Sequence, residues 1–77
     1  MKSAKKMFEE LGFKGLETDY SLVYRYMGTE IDYKCEIYFY LMCKEYEYTV
    51  ENDECTSVDM KLHKAIHKQL EELGWLK

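Results

Sequence analysis

The chain has 77 residues, of which 47% are hydrophobic and 16% aromatic, so it suits one small domain and is too apolar for an intrinsically disordered segment. Its net charge of −4 gives no general attraction to nucleic acid, and its longest apolar run, at 37–43, is too short to span a bilayer. The start lacks the apolar segment of a signal peptide, and three cysteines without close pairing indicate reduced thiols. We expect a single cytoplasmic domain over residues 1–77.

The first predicted element is a short helix over about 4–11. Ser3 can cap it, and the apolar residues that follow recur at helical spacing along one stripe: Ala4, Met7, Phe8 and Leu11.

Two nearly identical hexapeptides, FEELGF at 8–13 and LEELGW at 70–75, are better explained as helix ends than as a functional repeat. Gly12 and Gly74 would each be the left-handed residue just past a helix. The Schellman motif then brings together two apolar pairs, Phe8 with Phe13 and Leu70 with Trp75.

Acidic residues in both predicted last turns are unexplained by the sequence. Glu9–Glu10 and Glu71–Glu72 oppose the helix dipole. We expect Glu72→Ala to leave stability unchanged.

The middle of the chain is predicted to form three strands, at 20–27, 33–43 and 46–51. Turns at 28–32 and 44–45 join them, and such short connections indicate an antiparallel meander.

Alternation along these strands separates a core face from an outer face. The core face carries Leu22, Tyr24, Tyr26, Cys35, Ile37, Phe39, Leu41, Cys43, Tyr46, Tyr48 and Val50. The outer face carries Val23, Arg25, Met27, Lys34, Glu36, Tyr38, Tyr40, Met42, Glu47, Thr49 and Glu51.

A second, longer helix is predicted over about 59–73, with Asp59 or Ser57 as its cap. Its stripe is Leu62, Ala65, Ile66, Gln69, Leu70 and Leu73. The chain is therefore expected to be an α+β fold of order α-β-β-β-α, a three-stranded antiparallel sheet with the short N-terminal and the long C-terminal helix on one face.

The two ends of the chain resemble small proteins of phages and prophages of Gram-positive bacteria. The segments are AKKMFEELGF at 4–13 and VDMKLHKAIHKQLEELGW at 58–75. Those proteins open with A-K-x-M-F-E-x-L-G and close with K-A-I-x-x-Q-x-x-E-L-G-W; where they usually have Thr, Asp59 stands here, and both residues can cap a helix. The resemblance implies expression in a bacterial host and an accessory role, such as inhibiting a host defence protein of the anti-CRISPR or another type. It implies no catalytic residue and no cofactor.

Residue patterns that could support chemistry are incomplete. His63 and His67 have a spacing that can bind zinc, but Lys64 stands where the zinc-protease pattern needs a glutamate. A structural zinc site would need two more ligands, and Cys55 is the nearest in sequence. Cys35 and Cys43 are placed on the core face, where thiols are inert. We expect no enzyme activity, no metal and no cofactor.

A lysine face on the second helix offers an alternative function. Lys61, Lys64 and Lys68 share one side and could serve a small nucleic-acid-associated regulator. The acidic composition argues against it, and we expect no nucleic-acid binding at physiological salt.

The outer face of the predicted sheet is the strongest candidate site. Its apolar residues are framed by charges, which is the usual composition of a protein interface. The candidate partner-binding residues are Arg25, Met27, Tyr38, Tyr40, Met42, Glu47 and Glu51. The expected partner is a host or phage protein; a homodimer and a merely solvated acidic sheet are the alternatives.

Overall fold

A helix, four strands and a second helix follow one another in a computed structural model that describes residues 2–27, 34–50 and 58–76. The elements are α1 (Ala4–Glu10), β1 (Phe13–Glu17), β2 (Ser21–Met27), β3 (Lys34–Tyr40), β4 (Glu45–Val50) and α2 (Met60–Glu72). The strands form one antiparallel sheet of order β1-β2-β3-β4. The predicted α+β class is confirmed, whereas the predicted number of three strands is wrong.

The strand that the sequence analysis missed is β1. Its apolar residues do not all lie on one face, since Gly15 occupies a core-side position and Leu16 an outer one. The ring of Tyr24 occupies the space beside Gly15, with Cε1 3.1 Å from the position of a Cβ atom there. A glycine inside a strand often marks such a close approach. The core position is thus filled by a neighbouring side chain, and the alternation expected of a strand is lost.

The turn between β3 and β4 begins earlier than predicted. β3 ends at Tyr40, residue 40 lies opposite Glu45, and residues 41–44 form the turn. Leu41 and Cys43 were predicted on the core face of a strand that reached residue 43. Cys43 is instead exposed, because it lies within the four-residue loop that closes the hairpin.

The core lies between one face of the sheet and the two helices. The ring of Phe8 in α1 stacks on that of Tyr24 in β2, with centroids 3.9 Å apart. The hydroxyl of Tyr24 donates to Oε1 of Gln69 in α2 at 2.7 Å. Both helices therefore pack on the same face, as predicted. The buried cluster is Phe8, Phe13, Tyr24, Cys35, Ile37, Phe39, Leu62, Ala65 and Ile66.

The C-terminal hexapeptide is a complete Schellman motif. Gly74 has φ of 76°, and its N–H donates to the carbonyl of Glu71 at 3.0 Å. The N–H of Trp75 donates to the carbonyl of Leu70 at 3.1 Å, which is the second bond of the motif.

The N-terminal hexapeptide ends α1 in a related way. Gly12 has φ of 95°, and its N–H donates to the carbonyl of Glu9 at 3.0 Å. The rings of Phe8 and Phe13 meet edge to face, with centroids 5.6 Å apart. The interpretation of both hexapeptides as helix ends is confirmed.

Three side chains cap the beginnings of the helices. Ser3 Oγ accepts from the N–H of Lys6 at 3.2 Å, and Asp59 Oδ1 accepts from that of Leu62 at 2.8 Å. These two caps agree with the sequence; Ser57, the alternative for α2, lies outside the described residues. The third cap, from Glu72 of α2 to α1, was not predicted.

Candidate functional site

The outer face of the sheet consists of the side chains that alternate away from both helices. The pairing of the strands arranges them in four rows. One row is Lys14, Arg25, Glu36 and Thr49; the middle row is Leu16, Val23, Tyr38 and Glu47; the third is Ser21, Tyr40 and Glu45; and a short row at the other end pairs Met27 with Lys34.

Two stacked tyrosines form the accessible apolar part of this face. The rings of Tyr38 and Tyr40 are 5.9 Å apart at an interplanar angle of 13°. Leu16 is 57% exposed two strands away in the same row as Tyr38, whereas Val23, which lies between them, is only 5% exposed. Val23 was expected among the exposed residues of this face but is buried between its neighbours.

Hydrogen bonds hold both tyrosines in place. The hydroxyl of Tyr40 donates to Oε1 of Glu47 at 2.8 Å, and that of Tyr38 donates to Oε1 of Glu36 at 3.4 Å. The bond to Glu47 favours the neutral hydroxyl and raises the pKa of Tyr40 above its ordinary value. The ring of Tyr40 therefore presents an uncharged surface near neutral pH, stacked on that of Tyr38.

An ion pair between neighbouring strands lies next to the tyrosines. Nε of Arg25 binds Oε2 of Glu36, its cross-strand partner. This hydrogen bond raises the pKa of Arg25, so the guanidinium stays charged under all ordinary conditions. The carboxylate of Glu36 thus contacts both Arg25 and Tyr38.

Charge is distributed unevenly across the outer face. The cations Lys14 and Arg25 belong to β1 and β2, and the carboxylates Glu36, Glu45 and Glu47 belong to β3 and β4, with Lys34 as one further cation at the start of β3. The face is therefore basic along one side and carries a net negative charge along the other. Such a pattern favours partners with the opposite arrangement.

A groove runs along the basic side. It has a volume of about 370 Å³ and is bounded by Gly12, Lys14, Gly15, Leu16, Val23 and Arg25. Its apolar floor between two cations suits an apolar side chain that carries, or adjoins, an anionic group.

The predicted site residues are only partly brought together. Arg25, Tyr38, Tyr40 and Glu47 share the outer face as predicted. Met42 is 78% exposed but belongs to the 41–44 turn beyond β3, which corrects its placement on the strand face.

Two further predicted site residues lie at or beyond the limits of the described structure. Met27 ends β2 opposite Lys34, and Glu51 lies outside the described residues.

Sequence analysis missed Lys14 and Leu16, because β1 was not recognised. The segment FKGLE could have been recognised as a strand only by allowing a glycine at one of its core positions.

The two histidines of α2 are close but lack further ligands in the described part of the chain. Their ring centroids are 6.4 Å apart, and Nε2 of His67 lies 3.6 Å from Oε2 of Glu71. No group of three potential metal ligands occurs among residues 2–27, 34–50 and 58–76, and Cys55 is outside these ranges. Burial raises the pKa of the Cys35 thiol, which disfavours the reactive thiolate.

The lysines of the alternative site lie on α2. Lys61 and Lys64 are exposed, and Lys68 is half-buried. No described helix is long and apolar enough to cross a membrane. Comparisons of the chain with family models, with curated proteins and with solved structures produced no significant match.

Proposed function

We propose that this chain is a non-enzymatic protein that acts by binding another protein on the outer face of its sheet. The stacked pair of Tyr38 and Tyr40 carries the proposal. Aromatic anchors are enriched at binding hot spots, and anchors already held in one conformation lose little entropy on binding. Hydrogen bonds to Glu36 and Glu47 hold this pair before any partner arrives.

The charges of the face define the chemistry of the partner. Acidic groups on the partner would meet Lys14 and Arg25, and basic groups would meet Glu45 and Glu47. Opposed potentials of this kind speed up association and exclude partners with the reverse pattern.

The proposal extends to the setting of this interaction. In keeping with the resemblance of both chain ends to phage and prophage proteins, we propose that the partner is a host or phage protein in the cytoplasm of a bacterium. Binding would inhibit a host defence protein. The alternative is a nucleic-acid-associated regulator that uses the lysines of α2, of which Lys61 and Lys64 are exposed.

Affinity capture from a bacterial lysate, followed by mass spectrometry, tests the proposal with matched variants. Wild-type protein and the Lys61/Lys64/Lys68 triple alanine variant are expected to retain the same protein. The Tyr38→Ala/Tyr40→Ala variant is expected to lose it while keeping a cooperative melting transition. Retention by the tyrosine variant, or capture of nucleic acid that only the lysine variant loses, contradicts the proposal.

A further inference from the structure

We infer that a second copy of this chain binds the outer face, in a face-to-face dimer whose two-fold axis runs parallel to the strands between β2 and β3. This inference rests on the proposed function in one respect, that the outer face is a binding surface. Its own basis is the distribution of charge, which is basic on β1 and β2 and, with three carboxylates against Lys34, acidic on balance on β3 and β4; the axis places Lys34 over the uncharged Met27 position of the second copy.

A two-fold axis parallel to the strands makes this face complementary to itself. Rotation about that axis places β1 over β4 of the second copy and β2 over its β3. Arg25 then meets Glu36 of the second copy, and Val23 meets its Tyr38, because each pair shares a row of the sheet. The symmetry repeats both contacts, so each copy supplies both charges.

The other axis within the plane of the interface gives a worse match. An axis across the strands places each strand over its own counterpart. Glu47 in the middle row then faces Glu47 of the second copy, with Tyr38 over Tyr38. Like charges opposed in this way cost binding energy. The charge pattern therefore selects the axis parallel to the strands.

The size of the face sets the strength of the dimer. Four strands about 4.8 Å apart, each with about five residues rising 3.3 Å, present roughly 300 Å² per copy in projection. The two copies together therefore contribute roughly 600 Å², which falls below the total of about 1,200–2,000 Å² that stable specific interfaces bury. We therefore expect a weak, reversible dimer, which leaves the face available to a tighter partner.

Charge reversal tests the arrangement. Arg25→Glu makes the centre of the face acidic, and Glu36→Arg makes it basic, so each variant alone should dimerise at least about tenfold more weakly than wild type. An equimolar mixture of the two should form dimers again, because each remaining charge finds its opposite across the axis. The double variant Arg25→Glu/Glu36→Arg should dimerise as wild type does. Sedimentation equilibrium measures all four samples.

A second pair of variants covers the event that reversing the Arg25–Glu36 pair within one chain prevents folding. Lys14→Glu and Glu47→Lys lie on opposite edges of the sheet and one row apart, so the axis brings residue 14 of one copy diagonally beside residue 47 of the other, and mixing should show the same rescue in weaker form. Wild-type protein that stays monomeric at high micromolar concentration, or folded variants that fail to associate when mixed, overturns the inference.

The dimer and the proposed function can fail separately. A monomeric wild type that still captures a lysate protein through its tyrosines contradicts the dimer alone. A dimer without any captured protein contradicts the proposed function alone.

Discussion

The carboxylate of Glu72, in the last turn of α2, accepts a hydrogen bond from the backbone N–H of Ala4, the first residue of α1, at 2.8 Å. It thereby satisfies one of the N–H groups that a helix leaves unpaired at its start and places a negative charge at the positive end of the α1 dipole. An acidic residue that is unfavourable for its own helix stabilises the other one. Sequence analysis had found no role for Glu72, and this contact supplies one.

Removal of this contact should destabilise the fold. We expect Glu72→Ala to lower the free energy of unfolding by about 0.5–2 kcal/mol, the usual cost of losing a helix cap. This reverses the expectation from the sequence. Glu71→Ala is the control, because Glu71 is exposed and its carboxylate lies 3.6 Å from His67 of its own helix rather than against α1. Urea denaturation measures both, and equal stability of the two variants contradicts the cap.

The two helix-ending glycines should differ in their tolerance of alanine. Gly74 has φ of 76° and open space around its Cα, so Gly74→Ala should cost about 1 kcal/mol for the left-handed backbone alone. At Gly12 a Cβ atom would lie 2.8 Å from Cε1 of Tyr26, which adds a steric clash. The melting temperature of Gly12→Ala should therefore be lower than that of Gly74→Ala, and the reverse order contradicts this account.

Alkaline pH should destabilise the protein through Tyr24. Burial raises the pKa of Tyr24 to about 12 from its ordinary value near 10. The folded state favours the neutral form of Tyr24, so the contribution of this residue to the free energy of unfolding is complete below pH about 10. That contribution is lost as the pH rises from about 10 to about 12. In that window stability should fall by up to about 1.4 kcal/mol per pH unit from this residue.

Tyr24→Phe provides the control for that pH dependence. The variant should lose stability at neutral pH, because Oε1 of the buried Gln69 loses its donor. Its unfolding free energy should fall less steeply than that of wild type between pH 10 and 12. Urea denaturation at each pH measures the unfolding free energy of both proteins. The same slope of this free energy against pH in both contradicts the assignment to Tyr24.

Neighbouring residues of β3 should have opposite effects. Phe39 is fully buried, and its ring lies within 6.5 Å of those of Phe8, Tyr24, Tyr46 and Trp75. Phe39→Ala should cost about 3–5 kcal/mol. Tyr38→Ala and Tyr40→Ala should each cost under about 1 kcal/mol, because these rings lie on the outer face.

Melting curves, together with a binding measurement, separate the core role of Phe39 from the binding role of Tyr38 and Tyr40. The tyrosine variants should keep the fold and weaken partner or self binding by about 1 kcal/mol or more. A wild-type melting temperature for Phe39→Ala, with unfolded tyrosine variants, contradicts the register of β3.

The turn between β3 and β4 contains a strained residue that can be relieved. Lys44 has φ of 58°, a left-handed conformation that costs most residues about 1 kcal/mol and glycine almost nothing. Lys44→Gly should therefore stabilise the protein by up to about 1 kcal/mol, whereas Lys44→Ala should not. Unfolding in urea measures both, and a loss of stability in the glycine variant contradicts the strain.

Local patterns in the sequence determined the parts of this fold that depend on neighbouring residues. The caps Ser3 and Asp59 and the stop glycines Gly12 and Gly74 act within one or two turns of their own helix, so their spacing suffices. Alternation along β2 and β3 likewise placed Tyr38 on the outer face and Phe39 in the core, because a strand has only two faces.

Contacts between distant parts of the chain were decided by the tertiary structure. β1 exists as a strand because Tyr24 fills the space beside Gly15, and Glu72 caps a helix 68 residues away. Neither relation leaves a periodic trace in the sequence, since the partner that completes each local pattern comes from another element. For the same reason only the assembled sheet places the cations of β1 and β2 beside the carboxylates of β3 and β4.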